Sequence, residues 1–368
     1  MTRVTRRTAL TLAGSAAVAM PFIKRAYAEE NTLNLYNWSD YIGENTIADF
    51  TKETGIKVNY DTYSSQEEMQ AKLLAGNSGY DAVVMQGSIT PRFVKAGLFE
   101  KLDHSKLPGW NNLDPTILKL MEAWAPANLY GLPYFWGSVG FTFNVDMVKK
   151  RIPDADFKSL DLIFKPEYAS KLADCGISIV DGPLDMFPMV MRYLGLDADK
   201  PTPENIKKVV DLYKPVRKYI RAFDTVNYLN AIPNKELCVI NTYSGDYATA
   251  KQRAKDAGVD INLLYAVPKT GAPIWVDCWC MLSDSKHKTN AYKFFEYLLQ
   301  PQVIAQCTDL VHYANANLPS KKFVDPAILS DPAIYPDADT MKLLWAPKPL
   351  SDDETKALTR AFEQIKSG

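Results

Sequence analysis

From Leu33 onward the chain alternates short apolar runs with amphipathic stretches. Residues 33–37 (LNLYN) alternate with period two, which predicts a strand with one buried face. Residues 44–55 set Ile47 and Phe50 on one helical face and end at Gly55, a residue that accepts the left-handed backbone of a helix stop. A second strand is predicted over 56–63, then an amphipathic helix through Met69, Leu73 and Leu74 that stops at Gly76, then a third strand over 81–86. This strand–helix alternation predicts parallel strands covered by helices on both faces.

The rhythm breaks at 131–144 (GLPYFWGSVGFTFN), which reads as two extended segments with a bend at Gly137 and Ser138. A helical region over 203–222, a strand over 237–243, a helix over 246–257 and a strand over 261–267 then predict a second α/β unit. An extended run at 273–282 and an amphipathic helix at 286–300 follow. The last helix, 351–366, opens with Ser351, Asp352, Asp353 and Glu354, a capping residue and acids that suit a helix N-terminus. No repeat or low-complexity linker separates the units, so the expected architecture is α/β units joined by extended strands, which favour a hinge over a tether.

Residues 1–28 are set apart from the fold, because they read as an export signal. Arg3, Arg6 and Arg7 form a basic start, 9–23 is small and apolar, and Ala26-Tyr27-Ala28 is a cleavage pattern. The paired Arg6-Arg7 suggests the twin-arginine route. A membrane anchor is the rival reading, but the apolar stretch is short, broken by Pro21 and closed by Lys24-Arg25. Later segments do not approach a membrane span, so the processed protein is expected not to cross one. Lys plus Arg number 42 against 43 Asp plus Glu in the full chain, which leaves no basic field for nucleic acid. Loss of the five cations in 1–28 takes the net charge from −1 to −6, a balance that suits a small cationic ligand.

An exported protein can form disulfides. Cys175 and Cys238 each adjoin a short apolar run, so a bridge between neighbouring strands or their ends is one reading, and Cys280 with Cys307 is another. Cys278 and Cys280 lie on one strand face, where a direct bridge is strained. With distant His287 they form too poor a ligand set to predict a metal. Catalysis also lacks a signature: the three histidines form no zinc pair, and neither a nucleophile elbow nor a phosphate-binding glycine loop is present. Neither catalytic residues nor a cofactor are expected.

Aromatic residues interleaved with carboxylates at strand ends stand out instead. Trp38-Ser39-Asp40-Tyr41, Tyr243-Ser244-Gly245-Asp246, Trp275-Val276-Asp277 and Tyr313 are such groups. Ligands of open α/β sheets sit beyond the carboxyl ends of strands, so these residues are candidates for one cleft. A carboxylate neutralises an ammonium group, and an aromatic face attracts the cation while covering its methylenes. One cation–π contact contributes about 0.5–2 kcal/mol, whereas a micromolar site needs about 8 kcal/mol, so several groups must converge. The plainer alternatives are that Ser39, Asp40 and Asp246 cap helices and that the rings belong to the core. Asp277 is harder to place there, because a buried carboxylate on an apolar strand needs a partner.

YNWSDYI (36–42), KETGIKVNYD (52–61), GYDAVV (79–84), FEKLDHSKLPGWNNLDP (99–115), GLPYFWGSVGFTFNVD (131–146) and YANAN (313–317) together resemble the periplasmic polyamine-binding proteins of ABC transporters, most closely the putrescine-binding type. The resemblance runs over essentially all of the chain after residue 28. It implies the type II periplasmic binding protein fold, two α/β lobes joined by crossing strands, with lobe 1 over 29–137 and 271–322 and lobe 2 over 138–270 and 323–368. It further implies a periplasmic, monomeric binding protein that closes on a linear amine such as putrescine, spermidine or agmatine and passes it to an inner-membrane permease. Carried over by position, Trp38, Ser39 and Asp40 form the first-lobe pocket motif, Asp246 is the second-lobe carboxylate, Asp277 lies on the hinge-side strand, and Tyr313 closes the aromatic box. Ser88 is retained. Gln86 replaces a usual serine, Asp185 a Glu, Tyr243 a Trp, and Trp275 the Phe of putrescine binders, while Gly182 lacks the extra acid of spermidine-type relatives. These departures leave the particular amine open. The resemblance also implies the Cys175–Cys238 bridge. Readings outside transport are a ligand-dependent sensor partner and, further off, a redox or metal protein built on Cys278, Cys280 and Cys307.

Overall fold

Residues 31–225 and 227–368 are described by the computed structural model, so the export-signal reading of 1–28 and the first residues assigned to lobe 1 lie outside the described residues. β1 (Thr32–Trp38), α1 (Thr46–Thr54), β2 (Lys57–Tyr63), α2 (Gln66–Leu74) and β3 (Ala82–Gln86) follow the expected order, and α3 (Thr90–Lys95) extends it. β1 pairs in parallel with both β2 and β3. Leu33, Leu35, Val83 and Val84 are fully buried, as strands covered on both faces require. Gly55 ends α1 at φ 72°, the left-handed stop its position suggested.

β4 (Gly131–Asn144) corrects the expected bend, because it is one continuous strand. Gly137 serves close approach rather than turning: a Cβ there would lie 2.6 Å from Trp275 Cζ2 and 2.7 Å from Ser244 Oγ. The strand changes partners instead of direction. Its first part pairs with β9 (Ala272–Met281), and Val139–Phe143 pairs with β7 (Val239–Tyr243), while β8 (Leu263–Ala266) also joins its second part. β3 pairs antiparallel with β9, so β4 and β9 together link one half of the sheet to the other.

The second half contains β5 (Ile177–Ile179), α4 (Pro183–Tyr193), α5 (Pro203–Tyr213), β6 (Ile220–Phe223), α6 (Tyr228–Ala231) and α7 (Ser244–Asp256), in addition to β7 and β8. The helix expected over 203–222 stops at Tyr213. Pro215 has no N–H to continue the helical ladder, and the chain re-emerges as β6, which pairs in parallel with β5. The strand order is β2-β1-β3-β9-β4-β7-β5-β6. α8 (Lys288–Leu298) and α9 (Pro301–Val311) lead to β10 (Ala314–Asn315), which pairs with β4, and β11 (Leu344–Trp345) pairs with the start of β9. The closing helix α10 (Asp352–Ser367) carries both halves of a capping box between Ser351 and Glu354, as its opening residues suggested.

Cys175 and Cys238 are joined by a disulfide just before the paired strands β5 and β7. Cys278, Cys280 and Cys307 are buried free thiols, so the alternative Cys280–Cys307 pairing is corrected. Cys307 Sγ lies 3.3 Å from Thr46 Oγ1 instead. Among the described residues no helix is long and apolar enough to cross a membrane.

Candidate functional site

Four strands bring candidate residues to their carboxyl ends. Trp38–Asp40 close β1, Gln86 closes β3 with Ser88 just beyond, Asp185 lies in the first turn of α4 after β5, and Tyr243 and Asp246 mark the junction of β7 and α7. Asp277 and Trp275 lie within β9, with Asp277 opposite Gln86 and Trp275 opposite Gly137.

Each of the three inner carboxylates is met by a phenol. The Tyr41 hydroxyl donates to Asp277 Oδ2 at 2.9 Å, and the Tyr243 hydroxyl donates to Asp185 Oδ2 at 2.8 Å. Asp246 accepts two such bonds, from Tyr228 at Oδ2 and from Tyr313 at Oδ1, the latter 2.7 Å long. Asp246 does not cap its helix; its carboxylate turns to these two rings. Burial pushes the Asp277 carboxyl up to about 7 and Asp185 to about 6, in each case partly offset by the phenol's hydrogen bond. Burial raises Asp246 as well, against the pull of its two phenols. These shifts are the cost of holding negative charge where water is scarce, and a cation delivered to the same place removes that cost.

Aromatic contacts connect the three carboxylates. Trp275 meets Tyr313 edge-on at 4.9 Å and Tyr243 at 6.3 Å, while Tyr313 meets Tyr41 at 6.0 Å. Gly245 is what lets Tyr313 approach α7, since a Cβ there would lie 2.4 Å from the ring. Asp185, Tyr243, Trp275, Tyr313, Asp246, Tyr41 and Asp277 thus form one continuous cluster.

A cleft of about 410 Å³ opens beside it, with Gln86, Ser88, Asp185 and Trp275 in its wall. Trp38, Ser39 and Asp40 do not line that cleft. Trp38 packs on Tyr63 at 4.5 Å, Ser39 donates from its backbone N–H to Tyr63 O, and Asp40 is exposed with φ 55°. They connect to the cluster through the chain itself, because Tyr41 follows directly. Tyr228 is the residue of this cluster that the sequence reading left out: no local pattern marks it, and it reaches Asp246 only through the packing of α6 on α7.

The buried thiols are set away from such chemistry, since burial raises Cys278, Cys280 and Cys307 and keeps them protonated. No group of three or more His, Cys, Asp and Glu residues among the described residues could hold a metal ion.

Two α/β halves crossed by long strands, with acidic and aromatic groups gathered between them, define a binding protein of the periplasmic type. The family of bacterial extracellular solute-binding proteins matches residues 45–336, and the chain belongs to it. It is 41% identical to the putrescine-binding periplasmic protein SpuD of Pseudomonas aeruginosa over 362 residues, 98% of this chain and 97% of that one. It is 42% identical to the putrescine-binding periplasmic protein PotF of Escherichia coli over 343 residues, 93% of each chain. Among solved structures, the spermidine/putrescine ABC transporter substrate-binding protein PotD of Streptococcus pneumoniae superposes with a TM-score of 0.79 at 28% identity, covering 91% of this chain and 98% of that one.

Proposed function

We propose that this chain is the periplasmic, monomeric capture component of an ABC importer for a linear di- or polyamine. On this reading residues 29–137 and 271–322 form one lobe and 138–270 and 323–368 the other, and the amine lies between them. Asp246 and Asp277 hold one nitrogen and Asp185 the other, with Trp275, Tyr243 and Tyr313 along the methylenes. Trp38, Ser39 and Asp40 join from the end of β1 when the lobes close, and Gln86 and Ser88 contribute polar contacts from the end of β3. The relatives named above support the class of ligand, and the tyrosine-bound carboxylates around Trp275 carry the argument.

The mechanism follows from differential affinity. An amine that touches carboxylates from both lobes gains more in the closed form than in the open one, and only that difference shifts the population. The closed form is then the one offered to an inner-membrane permease. No bond is made or broken.

A charge-assisted hydrogen bond contributes about 1.5–3 kcal/mol. Asp246→Asn and Asp277→Asn should therefore each weaken putrescine binding by about tenfold or more in calorimetry. Unchanged affinity in both variants would remove these residues from the site.

A further inference from the structure

Asp246 stands where a carboxylate has a competing place to go. It is the third residue of α7, and among the described residues the N-terminus of that helix receives no side-chain cap, so its amides attract an acid of the first turn. Yet both Asp246 oxygens are turned outward, Oδ1 to the Tyr313 hydroxyl and Oδ2 to that of Tyr228. The two phenols differ in what surrounds them. Tyr313 meets Trp275 and Tyr41 within the aromatic cluster. Tyr228 is 1% exposed and packs among Val180, Ile232, Leu237, Ile240 and Ala250, so it acts on a ligand only through the carboxylate its hydroxyl holds.

We propose that Tyr228 is a positioning residue for amine capture: from the α6 side it keeps the Asp246 carboxylate off the amides of α7 and turned toward the ammonium group. This rests on the amine-binding reading above. A single phenol would fix one oxygen and leave the carboxylate free to swing about it, whereas a second phenol from another element fixes its plane. Being neutral, Tyr228 does so without cancelling the charge that the ammonium meets. Its bond also favours the ionised form, since burial raises the Asp246 carboxyl while Tyr228 and Tyr313 lower it. The other titratable groups that act on this carboxyl are Arg253 of α7, Tyr243 of β7 and Tyr265 of β8. Burial pushes all four phenols up, and an arginine does not deprotonate, so the carboxyl is the group among these that changes charge as pH falls from 8 to 5.

Calorimetry with putrescine on the parent protein, Tyr228→Phe, Asp246→Asn and the double variant tests this role. Phe keeps the buried ring and removes only its oxygen, so the fold is retained. Loss of a hydrogen bond to a charged group should weaken putrescine about fivefold or more at pH 8. The factor should be larger at pH 5.5, because the missing bond favours the ionised carboxyl. In the Asp246→Asn background the same substitution should change affinity by less than about twofold, as expected of two residues that act as one unit. A Tyr228→Phe loss under about twofold, or a loss that multiplies with that of Asp246→Asn, would overturn the proposal while leaving amine binding intact. So would a loss of equal size at both pH values. A parent protein that binds no putrescine would instead remove the amine-binding reading, and this role with it.

Discussion

A carboxylate hydrogen-bonded to a phenol keeps its whole negative charge, because the phenol is neutral. This separates Asp185, Asp246 and Asp277 from acids paired with Lys or Arg, whose charge is already spent. It also gives them a pH signature. With folded-state values of about 6 for Asp185 and about 7 for Asp277, the empty protein holds more protons than its unfolded chain between about pH 4 and pH 7. The contribution of these groups to stability is therefore complete below their unfolded values and is lost as pH rises through 6 and 7. Cation binding has the opposite sense, since it favours the ionised carboxyls. Putrescine affinity should rise between pH 5 and pH 8, with proton release on binding that is measurable by calorimetry in buffers of different ionisation enthalpy. Asp277→Asn should remove the upper inflection and keep the lower one; a flat profile in the parent protein would show that these carboxyls are already ionised in the empty cleft. At this scale the sequence was informative where a residue followed a strand, as at Asp246. It was silent where the partner came from elsewhere: Tyr228 lies 18 positions before Asp246, and nothing local announces their bond.

Among the elements, strands and helices with strong periodicity were legible, while partner exchange was not. GLPYFWGSVGFTFN contains residues suited to a bend, but which strands lie beside it decides whether it bends, and pairing with β9, β7 and β8 keeps it extended. Likewise residues 214–222 carry a helical pattern that Pro215 and the ladder of β5 override. The Cys175–Cys238 bridge anchors the starts of β5 and β7 across a separation of 63 residues. Closing a loop of that length in the unfolded chain corresponds to about 4 kcal/mol in the chain-entropy account. The Cys175→Ser/Cys238→Ser double variant should lose about 2–4 kcal/mol in urea unfolding, with putrescine affinity little changed at low denaturant because the bridge touches none of the inner carboxylates. A loss below 0.5 kcal/mol would mean that the bridge adds nothing beyond the strand pairing it accompanies.

For the molecule as a whole, the α/β class could be read from the pattern of the chain, whereas the strands that cross between the halves were implied by the family resemblance. The division of labour between halves could not be read, since it depends on contacts such as Tyr313 with Asp246 that join residues far apart in sequence. If the halves close on the amine, saturating putrescine should reduce the radius of gyration in small-angle scattering. An identical radius with and without ligand, under conditions where calorimetry shows saturation, would argue for a rigid cleft. β4 and β9 are not the sole links. Trp345 in β11 pairs with Pro273 and lies under the Arg192 guanidinium at 3.7 Å, and Trp124 Nε1 donates to Pro347 O at 2.9 Å. The stretch from 344 to 347 is therefore a third tether beside the two long strands. If the halves separate so that Trp124 draws away from α4, this short cord must give or its indole bond must break.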